Sequence, residues 1–184
     1  MALIALIGPS GVGKDALLRF ARESLDATEA KVRPPIVFAH RYITRPVEAG
    51  GENHIALSPG EFALRRATGC FSLHWDSHGL SYGIGCEIDA WLDKGLRVVF
   101  NGSRAHLPQA VARYPDLTPV LVSAAPSVLR ARLERRGREN TEQIEERVRQ
   151  AAAVSFTHPR LRTLDNSGPL AEAGQQLVDI LLEA

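Results

Sequence analysis

Cysteine is nearly absent from this chain: Cys70 and Cys86 are the only two among 184 residues. Two unclustered thiols exclude a disulfide framework and suit a reducing cytoplasm. They also lack metal-ligand spacing. His74 and His78 fall on a strand-and-turn segment and need not share a helix face, so a zinc centre is not expected. No serine, histidine and aspartate stand in an arrangement that suggests a nucleophilic triad. Charge imbalance is missing too: 22 Lys and Arg against 21 Asp and Glu leave a formal net charge of +1. That excludes a basic nucleic-acid tail and an acidic-ligand surface, so any basicity that matters is local. There is no long apolar run. Leu3 to Ile7 is too short for a signal peptide or a membrane span and reads as a buried parallel strand. Repeats and low-complexity segments are absent. With 45% hydrophobic residues the chain can bury one substantial core. A single, soluble, cytoplasmic domain is expected, with a small-molecule substrate and neither nucleic acid nor membrane as partner.

What is present is a glycine loop in the right setting. Gly8-Pro9-Ser10-Gly11-Val12-Gly13-Lys14-Asp15 follows the first strand and precedes a segment with Leu17, Leu18, Ala21 and Leu25 at helical spacing. Strand, loop and helix in that order make a G-x-x-x-x-G-K pattern a phosphate-binding loop. The glycines let backbone N–H groups converge, the helix N-terminus adds partial positive charge, and Lys14 brings a full cation to the phosphates of ATP. The position after the lysine normally carries a hydroxyl for Mg²⁺. Here it is Asp15, a carboxylate that reaches Mg²⁺ directly or through water.

Further on, Ile36 to Ala39 reads as a strand after a Pro-Pro connection. From Arg41 to Ile84 the character changes: strand-like pieces at Ile55 to Leu57, Phe71 to Trp75 and Leu80 to Ile84 surround a short helix at Pro59 to Arg66. Turns are expected at Gly50-Gly51 and Ser77-His78-Gly79. The α/β rhythm returns with a helix at Glu87 to Lys94 and a strand at Arg97 to Phe100. A further helix, a strand at Thr118 to Val122 and a helix from Pro126 stopped at Gly137 follow. Thr141 is expected to cap the next helix, with Ile144, Val148 and Ala152 on one face. A strand at Leu161 to Leu164 and a helix from Pro169, with Leu170, Ala173, Leu177 and Leu181 inward, close the chain. The expected fold is α/β, a mainly parallel sheet flanked by helices, with a small inserted subdomain suited to closing over a substrate.

Arginines gather at Arg130, Arg132, Arg135, Arg136 and Arg138, with Arg147 and Arg149 on the next helix. Neighbouring glutamates can pair with several, but the cluster suits a lid that neutralises charge on a transferring phosphoryl group, with Arg136 and Arg147 as its best candidates. Arg41-Tyr42-Ile43-Thr44-Arg45-Pro46 offers groups that hold a phosphate by bidentate contacts. Tyr82-Gly83 and Asn101-Gly102-Ser103-Arg104 are weaker signals.

Together these segments resemble the guanylate kinase group of P-loop kinases over nearly the whole chain. The resemblance implies a core that binds ATP (residues 1–40 and 86–184), an acceptor-binding insert at about 41–85 and a lid at about 134–147. It also places Asn166, in the loop Asp165-Asn166-Ser167, near adenine. The chain departs from guanylate kinases where guanine is read: His74 stands for the Glu before Trp75, and Asn101 for an acidic residue. His54 stands for a phosphate-holding Tyr. A guanine site without these carboxylates leaves donors unpaired. A tighter resemblance, carried by Asp15, Arg41 to Pro46, Gly51 to His54, His78 to Ile84, Asn101 to Arg104 and Leu164 to Gly168, is to the ribose 1,5-bisphosphate phosphokinase family. It implies ATP-dependent phosphorylation of the sugar's 1-phosphate to 5-phosphoribosyl 1-diphosphate with Mg²⁺, within phosphonate degradation. Tyr42, Arg45, His54, Tyr82, Asn101 and Arg104 are then the acceptor-binding candidates. The alternatives are a nucleoside monophosphate kinase with altered base preference and an inactive guanylate kinase-like binding module.

Overall fold

The computed structural model describes residues 2–27, 34–46, 53–137, 139–152 and 157–183. The Gly50-Gly51 turn, Glu52, Arg138 and the side chain of Ala152 lie outside them, as does most of the connection before Pro35. The chain runs β1 (Ala2–Ile7), α1 (Lys14–Asp26), β2 (Ile36–Phe38), β3 (Arg41–Ile43), β4 (Ile55–Ala56), α2 (Pro59–Ala67), β5 (Phe71–Ser77) and β6 (Leu80–Gly85). It continues through α3 (Glu87–Asp93), β7 (Arg97–Asn101), a 3₁₀ turn (Arg104–His106), α4 (Leu107–Arg113), β8 (Thr118–Ser123), α5 (Pro126–Arg136), α6 (Thr141–Ala152), β9 (Arg162–Asp165) and α7 (Leu170–Glu183).

Five strands in the order β2-β7-β1-β8-β9, every pair parallel, form the main sheet. β1 is central because its residues are apolar on both sides. Leu3, Ala5 and Ile7 face one core with Val98, Phe100, Ile88 and Leu107; Ile4 and Leu6 face the other with Leu17, Ala21, Val120, Leu177 and Leu181. A period of two in a continuous apolar strand thus feeds both layers. Leu170, expected inward, is 37% exposed. It is the first residue of α7, one turn before the helix reaches the sheet. Helix α6 starts at Thr141 as expected, but its cap lies one residue earlier. Asn140, not Thr141, is its cap: Asn140 Oδ1 accepts from the Gln143 amide at 2.9 Å and Gln143 Oε1 accepts from the Asn140 amide at 3.0 Å. This reciprocal pair satisfies two otherwise orphaned donors, which a threonine one residue later cannot do.

Between β3 and α3 a second sheet, β4-β3-β6-β5, carries α2 on its side. Ser58 caps α2 by accepting from the Glu61 amide at 3.1 Å. The second sheet is tied to the main body through Asp89 of α3, which accepts from Ser72 Oγ at 2.6 Å, Tyr114 OH at 2.5 Å and Arg113 at 3.1 Å. Burial alone raises this carboxyl's pKa, but the three donors outweigh it and hold the group below its ordinary range. Its stabilisation is therefore complete above the unfolded pKa of about 4 and lost as pH falls through the folded value. Asp89→Ala should destabilise the fold by about 1–3 kcal/mol, lowering Tm by roughly 2–4 °C per kcal/mol. Thermal scans should show that gap at pH 7 and its narrowing by pH 3; an unchanged gap at both would remove the ionised carboxylate as its cause.

Candidate active site

The carboxyl ends of the parallel strands share one edge of the main sheet, and the polar groups of interest collect there. β1 delivers the glycine loop, β7 ends at Asn101, and Asn166 follows β9. The loop is held by its neighbours. Asn166 is 1% exposed, and its Nδ2 donates to the Val12 carbonyl at 2.8 Å; Arg132 donates to the same oxygen at 3.1 Å. Gly13 has φ 100°, and a Cβ there would lie 2.5 Å from Asn166 Nδ2. Glycine is thus required both by conformation and by space. Lys14 Nζ donates to the Gly8 and Pro9 carbonyls at 2.9 and 3.0 Å, curled back along its own loop.

Helices α5 and α6 form a helix pair over this loop, joined by Gly137, whose φ of 67° ends α5. Leu129, Leu133, Ile144 and Val148 bury against one another, and Leu133 also packs on Gly11. Each of these side chains contributes about 1.5–3 kcal/mol by burial. The packing brings two arginines to one carboxylate: Glu139, whose side chain is 5% exposed, pairs with Arg136 and, at 3.4 Å, with Arg147. Arg136 also donates to Ser10 Oγ of the loop at 3.3 Å. Across from them stands the tip of the β5–β6 hairpin. Burial and then the Arg147 cation lower the pKa of His78 there, so the imidazole is disposed to stay neutral.

The remaining candidates separate into groups. Arg45 donates to His54 Nδ1 at 3.4 Å, and His54 Nε2 lies 3.0 Å from the Arg45 carbonyl. A carbonyl only accepts, so Nε2 carries the proton and Nδ1 is the acceptor for the guanidinium. His54 is 6% exposed and grips Arg45 at both ends. Tyr82 stacks on Trp75 with centroids 5.5 Å apart, and the Arg41 guanidinium lies 5.2 Å over the Tyr82 ring. Asn101 donates to Asp15 at 2.5 Å, and Arg41 stands 3.9 Å from the same carboxylate oxygen. Tyr42 is drawn elsewhere: its hydroxyl donates to Glu87 at 3.4 Å, Arg65 covers its ring, and burial followed by Glu87 raises its pKa. Arg104 points to the end of α6, donating to the Gln150 carbonyl at 3.0 Å and the Ala151 carbonyl at 3.5 Å. Sequence reasoning left out three arginines at the Asp15 side: Arg41 as a single residue, and Arg19 and Arg22 of α1. Their spacing from Asp15, four and seven residues on, was the available signal.

Among the described residues no group of three or more His, Cys, Asp or Glu is placed to hold a metal. Mg²⁺ does not require such a group, because it keeps waters and takes one or two carboxylates beside substrate phosphates. Asp15, next to Lys14 and oriented by Asn101, fits that demand.

A glycine loop after the central strand of a parallel sheet, braced by an arginine-bearing helix pair, defines a P-loop kinase. A guanylate kinase from Anaplasma phagocytophilum superposes with a TM-score of 0.65 at 18% identity, covering 98% of this chain and 84% of that one. A gluconokinase from Sinorhizobium meliloti gives 0.53 at 17%, covering 99% and 92%. No protein-family model matches the sequence. The ribose 1,5-bisphosphate phosphokinase PhnN of Thiobacillus denitrificans is 55% identical over 184 residues, covering 99% of this chain and 93% of that protein. The protein of the same name from Desulfomicrobium baculatum is 54% identical over 181 residues, covering 98% and 94%. The chain belongs to the ribose 1,5-bisphosphate phosphokinase family. It is a kinase with a guanylate kinase-like fold, and neither alternative raised from the sequence is favoured.

Proposed function

We propose that the protein transfers the γ-phosphoryl group of ATP to the 1-phosphate of ribose 1,5-bisphosphate, giving 5-phosphoribosyl 1-diphosphate and ADP. One observation carries this reading beyond the family's name. The positions where a guanylate kinase reads guanine are occupied by His74, exposed on β5, and by Asn101, which already donates to Asp15. Neither presents a carboxylate to a base, and Asn101 shares its groove with Arg19, Arg22 and Arg41.

In this reading the loop amides and Lys14 hold the ATP phosphates, and Gly8, Pro9, Ser10, Gly11, Val12 and Gly13 supply the cradle. Asn166 keeps the loop in shape from below rather than touching adenine. Asp15 would hold Mg²⁺, which would supply charge neutralisation. The acceptor is ionised at neutral pH, so a 1-phosphate oxygen attacks the γ-phosphorus as the bond to the ADP oxygen breaks, and no general base is needed. Arg136 and Arg147 exchange Glu139 for the transferring group, whose charge spreads over its equatorial oxygens. Residues 41–85 form the acceptor insert, with Arg45 as its phosphate anchor, and residues 134–147 form the lid. Two exposed thiols, Cys70 and Cys86, suit a cytoplasmic location.

The test is ADP release with MgATP, comparing ribose 1,5-bisphosphate with GMP at equal concentration and identifying the product by mass. Turnover of the sugar bisphosphate alone supports the reading; turnover of GMP alone reverses it. His54→Phe, which keeps bulk but loses both bonds to Arg45, should raise the acceptor KM about tenfold with kcat little changed. An unchanged KM would detach Arg45 positioning from His54.

A further inference from the structure

A groove of about 350 Å³ runs beside the loop between α1 and β3, lined by Asp15, Leu18, Arg19, Arg22, Ala39, Arg41, Asn53 and Asn101. That volume suits a small ligand. Three arginines face one carboxylate in it, and no aromatic ring is among its described lining residues, so it attracts anions and offers no platform for a base. Arg19 and Arg22 form no ion pair among the described residues; Arg22 lies 5.2 Å over the Phe38 ring. The floor is Asn101, 3% exposed, with Nδ2 on Asp15 and Oδ1 buried without a hydrogen-bond partner among the described residues. A hydroxyl-bearing ligand supplies the donor that this floor lacks.

The geometry orders the groove. Asp15, Arg19 and Arg22 share one face of α1, and Arg19 and Arg22 lie about 6 and 10 Å along the axis from Asp15. In the proposed reaction the reacting end of the acceptor meets the γ-phosphoryl group beside Lys14, where α1 begins. A phosphate held by Arg19 and Arg22 is therefore the far one. We infer that this groove is the subsite for the acceptor's distal phosphomonoester, with Arg19 and Arg22 as its anchors, Arg41 at its mouth and Asp15 and Asn101 receiving the hydroxyls between. The inference rests on the proposed reaction and deepens it. Selection for a bisphosphate over a monophosphate then rests mainly on two arginines of the first helix of the core, with the segment 41–85 contributing Arg41 at the mouth.

Two measurements test this on the full chain. In the first, kcat/KM is compared for ribose 1,5-bisphosphate and ribose 1-phosphate, which lacks the distal group. The ratio should fall about 10- to 100-fold in Arg19→Gln and in Arg22→Gln, and further in the double variant, with the KM for MgATP unchanged. Arg19→Lys should recover part of the loss. The second is calorimetric titration with ribose 5-phosphate, which carries the distal group alone. Wild-type protein should bind it, and the double variant, with Tm within a few degrees of wild type, should not. A ratio within twofold of wild type, or equal ribose 5-phosphate binding by both proteins, overturns the subsite. If the wild type fails to turn over ribose 1,5-bisphosphate, the reaction reading falls; loss of ribose 5-phosphate binding in the double variant would still place a phosphomonoester in the groove.

Discussion

Replacing Lys14 by alanine is expected to lower kcat by about 10³-fold while leaving the fold in place. In the structure the ammonium spends its hydrogen bonds on the Gly8 and Pro9 carbonyls of its own loop. Those carbonyls lie at the half-buried start of the loop and can turn to water, so Tm should move by only a few degrees. The cation itself has no substitute. A single preorganised donor aimed at developing charge is worth about 10²–10³ in rate, and Lys14 carries a full charge in addition. ADP release measured alongside circular dichroism checks both halves. Turnover within tenfold of wild type would remove Lys14 from the phosphate site.

Arg136→Ala should be at least as severe, and in the same quantity. An arginine that meets charge only as the phosphoryl group moves is worth about 10³–10⁵ in kcat. The loss is expected in kcat, with the acceptor KM changed by only a few-fold, because the proposed reading places the residue on the lid and not in the insert. Glu139 keeps Arg147 as a partner in the variant, so no buried carboxylate is stranded. Glu139→Gln isolates the pairing: it frees both arginines without deleting either. Single-turnover kinetics that showed a KM effect without a kcat effect would make Arg136 a binding residue and leave catalysis to Arg147.

The parts legible in the sequence are those fixed by neighbours along the chain. The loop, the strand before it and the helix after it are local, and periodicity plus glycine spacing described them. The stop of α5 at Gly137 is local as well. What escaped depended on register between distant segments. Tyr42 and Tyr82 look like companions in the sequence, yet one rests on Phe71 at 5.6 Å and the other on Trp75 at 5.5 Å. Arg104 follows Asn101 in the sequence, and only the fold shows that the 3₁₀ turn after β7 brings it to the end of α6. Arg19 and Arg22 gain a partner surface only from the segment ending in β3, which lies across the groove from them and is distant in the sequence. Asn140 and Thr141 are both capping residue types, and only the reciprocal bonds with Gln143 separate them.

The central place of β1 has a consequence for how the protein comes into being. Its first strand pairs Ala2–Leu6 with Arg97–Asn101 and Ile4–Ile7 with Thr118–Leu121. On the ribosome β1 is made before both of its partners, and at about 5–20 residues per second the nearer one arrives roughly 5–20 s later. During that interval an apolar strand with two unpaired edges is exposed to other chains. The loop must wait longer still, since its Val12 carbonyl is held by Arg132 and Asn166. The loop thus takes its final form only after residue 166 has been made, and β1 stays open to other chains until its two partner strands have emerged.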